Sequence, residues 1–261
     1  MKVYPVNKLP LAEIFSPDIA AYSNVENVYH SYLKHRSYGN KFTLTLNLSW
    51  NKPIRADTLI IADNNFQKTI ITLKDSFNVE KSFTFWNIQE HRNFIIIPLD
   101  SMEIDLFNIV QGKLEFSDTT EQIYCGYIFI GKSVELPRFI VAPEWEKVIR
   151  GESNRTNGGQ VYGLTFPSLD RLAVSFVRIY RDEKKIVDDY MESVQGLIPH
   201  IVDLYPETHG ELILDLDDDM RYNGEDLFPP RYATLQNGIS ATKRNENDFY
   251  WNYAMEWLEA K

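Results

Sequence analysis

Apolar and polar residues alternate without a break from Lys41 to Trp50. Phe42, Leu44, Leu46, Leu48 and Trp50 are apolar and every residue between them is polar. That period of two predicts a strand with one buried face, ended by Asn51-Lys52-Pro53. Further strands are predicted at short intervals over Thr58–Ala62, Thr69–Lys74, Lys81–Phe85, Asn93–Pro98, Gly112–Phe116 and Gln122–Ile130. Turn-forming runs such as Asp63-Asn64-Asn65 and Asp75-Ser76-Phe77-Asn78 separate them. Short strands at this spacing read as an antiparallel sandwich or jelly roll.

The second half continues the theme. Glu146–Glu152, Gln160–Phe166 and Leu172–Tyr180 read as strands, with Asn157-Gly158-Gly159 as a hairpin turn between the first two. One helix is predicted over 182–195, where Ile186, Val187, Tyr190, Met191 and Val194 share a face and Gly196 can close it. Leu212, Leu214 and Leu216 alternate as a half-buried strand. At the C-terminus Tyr250, Tyr253, Ala254, Trp257 and Leu258 fit a helical face, while Phe249, Trp251, Tyr253, Met255 and Trp257 fit strict alternation. Aromatic density favours the strand.

Residues 1–40 show neither period. Pro5, Pro10 and Pro17 interrupt them and four tyrosines are scattered among them, so they read as an extended arm with at most a short helix near 19–24, ordered by other chains or by a sandwich edge. The alternative is that Val25–Leu33 supplies a first strand. The expected fold is therefore mainly β, a jelly-roll-like antiparallel β-sandwich with one packed helix and an extended N-terminal arm. Its expected divisions are 1–40, 41–140 and 141–261.

Composition narrows the function classes more than it names one. The 261 residues carry 27 Lys and Arg against 37 Asp and Glu, a net charge of −10 that repels a phosphate backbone, so nucleic acid is not expected as a partner. No run of about 18 apolar residues predicts a membrane-spanning helix, and the N-terminus lacks the apolar stretch of a secretion signal. Cys125 is the single cysteine, so no intrachain disulfide or thiolate metal cluster is expected, consistent with synthesis in a reducing cytosol.

Catalytic motifs are missing. The five histidines, His30, His35, His91, His200 and His209, have no metal-site spacing and read as surface and turn residues. The acidic run Asp215, Asp217, Asp218, Asp219, Glu225, Asp226 fails the calcium-loop test, because the position that needs glycine holds Met220. It reads as an acidic hairpin tip. There is no nucleophile elbow, Walker loop or dinucleotide fingerprint. Cys125, within an apolar strand, reads as a buried inert thiol. Neither a cofactor nor a metal site is expected, and no enzyme is required. Trp50, Trp86 and Trp145 lie near predicted strand ends, where aromatic rings either fill a core or interface or stack on sugar rings.

One stretch carries a family resemblance. Ala56-Asp-Thr-Leu-Ile-Ile-Ala-Asp-Asn-Asn65 resembles the early strand and loop of discoidin-like (galactose-binding-like) sandwiches found in phage tail proteins. Arg92-Asn-Phe-Ile-Ile-Ile and Tyr127-Ile-Phe-Ile-Gly-Lys-Ser-Val-Glu-Leu-Pro137 are similar to the later strands. The resemblance covers about residues 41–140. This loop reads Asp63-Asn64-Asn65 without a histidine, so no ligand contact of the family is carried over. The resemblance implies a virion structural component, a minor tail or baseplate protein acting through contacts with other tail proteins or its own copies. The alternative is a carbohydrate- or receptor-binding module for a host glycan, using Asn64, Asn65, Trp86, His91 and Arg92 as loop amides, stacking ring and donors.

Overall fold

The structure, a computed structural model, describes residues 1–29, 35–87, 94–100, 104–138, 143–148, 151–155, 161–165, 169–194, 198–209, 211–214, 219–223, 230–236, 242–243 and 251–260. The first ten strands are β1 (Lys2–Tyr4), β2 (Ala12–Phe15), β3 (Ser37–Tyr38), β4 (Leu44–Ile54), β5 (Thr58–Asn64), β6 (Lys68–Asp75), β7 (Glu80–Trp86), β8 (Phe94–Pro98), β9 (Ile109–Ser117) and β10 (Tyr124–Gly131). Then come β11 (Val134–Glu135), β12 (Glu144–Val148), β13 (Gly151–Arg155), β14 (Val161–Thr165), β15 (Leu169–Ile179) and the helix α1 (Arg181–Ser193). The chain ends with β16 (His200–Asp203), β17 (Glu211–Leu214), β18 (Asp219–Asn223), β19 (Arg231–Leu235), β20 (Thr242–Lys243) and β21 (Trp251–Glu259). The described residues are thus mainly antiparallel β with one α-helix. No described helix is long and apolar enough to cross a membrane.

Contacts divide the chain into two compact units. One holds Lys2–Val134 and Asp203–Pro230, the other Met1, Glu135–Val202 and Arg231–Lys261. These are not the sequence divisions at 40 and 140, because the chain leaves the first unit and returns to it.

The first unit is a sandwich. One sheet runs β3-β10-β5-β8, the other β17-β18-β7-β6-β9-β4-β2. Their facing side chains form one core: Leu44, Leu46, Leu48 and Trp50 from β4, Leu114 and Phe116 from β9, and Ile71 and Leu73 from β6 meet Leu59, Ile61, Ile95, Ile97, Ile128 and Ile130 of the smaller sheet. The alternation read from Lys41 to Trp50 is that burial pattern, polar members outward. β5 and β10 are buried on both faces, which explains why they read as continuous apolar runs rather than alternating ones. Cys125 is fully buried, and desolvation pushes its thiol well above the ordinary range.

The N-terminal segment is ordered by the sandwich itself, one of the two ways expected for it. β2 pairs antiparallel with β4, Leu9 and Val28 are completely buried in the sandwich core, and Val25–Tyr29 is a 3₁₀ turn rather than a strand. Side chains fix this segment where a ladder would otherwise do so. Asn7 donates to the Ile128 carbonyl and accepts from the Ile130 amide, and the Asp18 carboxylate accepts from the Thr45 amide at 2.7 Å. Trp50, a strand-end ring in the sequence, is 5% exposed and its indole donates to the Lys8 carbonyl. Such one-residue anchors have no period, so the segment looked unstructured.

In the second unit the order β16-β19-β21-β15-β12 holds, with β20 on β21, and β13 and β14 pair as a hairpin whose first strand is Gly151–Arg155, the expected Glu146–Glu152 being divided between β12 and β13. The hairpin's turn lies outside the described residues. β21 buries Tyr253, Met255 and Trp257, the strict alternation that favoured a strand. The helix buries Val187 and Tyr190 and leaves Ile186 40% exposed. β15 slips register between Phe176 and Ile179, where Arg178 takes φ 62° and its amide donates to Asn252 Oδ1.

Two histidines expected at the surface are buried. In the second unit His200 is 1% exposed and its Nδ1 lies 3.0 Å from the Ile198 carbonyl. A carbonyl only accepts, so Nδ1 carries the proton and Nε2 accepts from the Tyr190 hydroxyl at 2.7 Å. Trp257 Nε1 in turn donates to that hydroxyl at 2.9 Å. Burial lowers the His200 pKa to about 4. In the first unit His209 Nε2 lies 2.8 Å from Asp203 Oδ2, with both residues buried. Tertiary partners that no local pattern announces hold both rings.

Candidate functional site

One end of the sandwich opens into a cleft of about 490 Å³. Its walls are the last residue of β5, the turn from β5 to β6, the residue after β7, the loop from β9 to β10 and the first residue of β10: Asn64, Asn65, Phe66, Gln67, Asn87, Asp118, Thr119, Thr120, Glu121 and Tyr124.

The chain is shaped for this end by two left-handed residues, Asp63 (φ 52°) and Asp118 (φ 64°). Aspartate tolerates that region better than most residues. Asp63 is clamped there by Arg36, whose Nε and Nη2 each donate to its carboxylate at 2.7 Å. The hydrogen bonds to Asp63 hold the guanidinium in its charged form, and the same group lies 4.1 Å from the centre of the Tyr124 ring. Arg36 therefore fixes both a strand end and an aromatic wall of the cleft.

Asn65 bridges two strands. Its Nδ2 donates to the Gln122 carbonyl at 2.9 Å and its Oδ1 accepts from the Tyr124 amide at 2.8 Å, closing the end of the β5–β10 pair. Its carboxamide is thus a structural staple. Asn64 differs: its Nδ2 is buried and has no hydrogen-bond partner. Gln67 sits between the other walls, its amide donating to the Asp118 carbonyl at 3.1 Å and its carbonyl accepting from the Asn87 amide at 2.7 Å. Phe66 stacks on Phe116 at 4.4 Å and forms an apolar floor.

Among the described residues the lining carries four carboxamides, two threonine hydroxyls, two carboxylates and two rings, and no lysine, arginine or histidine. A field of that sign repels anions and accepts neutral polar groups. Among the described residues no group of three or more His, Cys, Asp or Glu is placed to hold a metal ion.

The sequence-predicted residues are distributed as follows. Asn64 and Asn65 line the cleft. Trp86 does not line it; it ends β7, one residue before Asn87, with the Lys68 ammonium 5.0 Å from its ring. His91 and Arg92 lie outside the described residues, as do the Trp145 side chain and most of the acidic run from Asp215 to Asp226. Gln67, Asn87, Asp118, Thr119 and Tyr124 were not read from the sequence. The one available signal was turn chemistry at Asp118-Thr119-Thr120, where a left-handed aspartate joins two strands.

No protein-family model and no curated protein matches the chain. Solved structures similar to it include a Streptococcus pneumoniae fucose-binding module (10% identity, TM-score 0.39, covering 49% of this chain and 98% of that one). Another is CpGH89CBM32-4 produced by Clostridium perfringens, in complex with GlcNAc-α-1,4-galactose (9% identity, TM-score 0.39, 48% and 92% covered). A third is SpGH29, of whose chain this protein spans 28% (10% identity, TM-score 0.40, 50% of this chain). At these identities and scores the likeness fixes no ligand for this protein.

Proposed function

We propose that the sandwich unit binds a neutral glycan in its end cleft and does no chemistry on it. The observation that carries this reading is the lining itself: amides, hydroxyls and two rings converge on one concavity, and none of the described residues lining it is basic. Sugar hydroxyls pair with carboxamides, and the apolar faces of sugar rings rest on aromatic rings. Asn64 adds a specific demand. A buried donor without a partner costs about 1–3 kcal/mol, which an acceptor oxygen of a ligand offsets once the carboxamide turns its Nδ2 toward the cleft. Tyr124, held by Arg36, is the ring proposed to border the bound sugar, and Trp86, expected from sequence in that role, lies outside the lining.

A role as a particle component, the other expectation from sequence, drew on an N-terminal arm that docks in a neighbour. That segment is occupied within its own unit. The carbohydrate reading has the specific observation.

A glycan array probed with the labelled protein tests it, followed by calorimetric titration of the best ligand with Asn64→Ala and Asn87→Ala. Each substitution is expected to weaken binding about fivefold, the effect of one lost hydrogen bond of about 1 kcal/mol, with the Asn87→Ala melt unchanged and the Asn64→Ala melt no lower than that of the wild type, since its unpaired donor is gone. Binding to no neutral glycan, or only to sialylated or sulfated ones, would overturn the proposal.

A further inference from the structure

A second concavity lies elsewhere on the sandwich unit, across the outer face of the seven-stranded sheet, with a volume of about 600 Å³. We propose that it is a groove for an extended neutral polysaccharide chain, independent of the end cleft.

The strand register defines its shape. One row of outward residues crosses five strands: Glu13, Ser49, Gln111, Lys74 and Glu80, each paired with the next. A second row, Phe15, Asn47, Lys113 and Thr72, runs beside it. Residues two apart on a strand are about 7 Å apart, and five strands span about 19 Å. The two rows line a trough about 19 Å long, several sugar rings, oriented across the strands. Its floor is backbone, because Leu48 and Leu73 turn their side chains into the core. Gly112, on the central strand, has no side chain at all.

The chemistry of the walls selects the occupant. Two lysines balance two glutamates in a protein of net charge −10, so the trough attracts neither polyanions nor polycations. Between them stand two carboxamides and two hydroxyls, the groups that pair with sugar hydroxyls. Phe15 closes one end with a ring 65% exposed on the edge strand. A protein partner would require more exposed aromatic and apolar side chains than this one ring. A chain of neutral sugars satisfies the length, the charge and the single stacking surface together.

Affinity electrophoresis decides between the outcomes, in gels cast with galactomannan, dextran or the polyanion polygalacturonate. The wild type and the cleft variant Asn64→Ala/Asn87→Ala are expected to be retarded equally by at least one neutral polymer. The groove variant Phe15→Ala/Gln111→Ala is expected to raise the dissociation constant at least tenfold without changing the melting temperature. If that variant does not fold, Thr72→Trp fills the trough from an exposed strand position and is expected to have the same effect. Retention of both groove variants, retardation of the wild type by polygalacturonate alone, or no retardation by either neutral polymer would refute the groove. Because the cleft variant is scored separately, failure of the glycan array and failure of the groove are distinguishable.

Discussion

Acidification should weaken the protein through one side chain, His200. In the fold its imidazole is neutral, and its pKa lies near 4 because it is buried; in the unfolded chain the value returns to about 6.5. The unfolded state therefore binds a proton that the native state refuses, and stability is lost as pH falls from about 6.5 to about 4. At about 1.4 kcal/mol per pH unit the full loss is about 3 kcal/mol, of which about 2 kcal/mol falls between pH 7 and pH 5. The geometry explains why the proton is refused. A proton on Nε2 would face the Tyr190 hydroxyl, whose oxygen already accepts from Trp257 Nε1, and the hydroxyl proton would lose its acceptor. Urea denaturation of the wild type and of His200→Gln, followed by far-ultraviolet dichroism at pH 7, 6 and 5, isolates the effect from carboxylates that titrate in both proteins. The wild type should be the more stable at pH 7, and its margin should shrink by about 2 kcal/mol by pH 5. A margin constant with pH would refute the reasoning.

Two other measurements bear on the sandwich unit. Arg36→Lys keeps the charge but loses the paired donors to Asp63 and the planar contact with Tyr124; partial exposure limits the cost to about 1 kcal/mol by urea titration, with a weaker grip on any cleft ligand. Cys125 should remain unmodified by a thiol-specific disulfide reagent in the native protein and react at once in urea, since its thiol is fully buried and its pKa is raised.

What could be read from the sequence follows the range of the interactions. Leu44, Leu46, Leu48 and Trp50 announce their strand because one continuous segment supplies the whole buried face. Val187, Tyr190 and Val194 do the same for the helix. Leu9 and Asp18 announce nothing, because each acts as a single plug or acceptor against strands far along the chain. The cleft was half visible for the same reason. Asn64 and Asn65 belong to a turn that reads as a turn, whereas Gln67, Asn87, Asp118 and Tyr124 become neighbours only when β5, β6, β7, β9 and β10 reach one end of the sandwich. His200 and His209 were placed at the surface because polarity is local and burial is not.

The route of the chain through the sandwich has a consequence for how it must be made. β18 lies parallel against β7, so residues 219–223 cover an edge that residues 80–86 would otherwise present. During synthesis the first ten strands emerge well before that cover does, with residues 132–218 translated in between, most of them belonging to the other unit. Through that interval β7 is an unpaired edge open to strands of other nascent chains. An excised fragment ending near residue 134 would stay permanently in that state. It should aggregate where the whole chain does not, so the proposed cleft and groove are best examined on the intact protein.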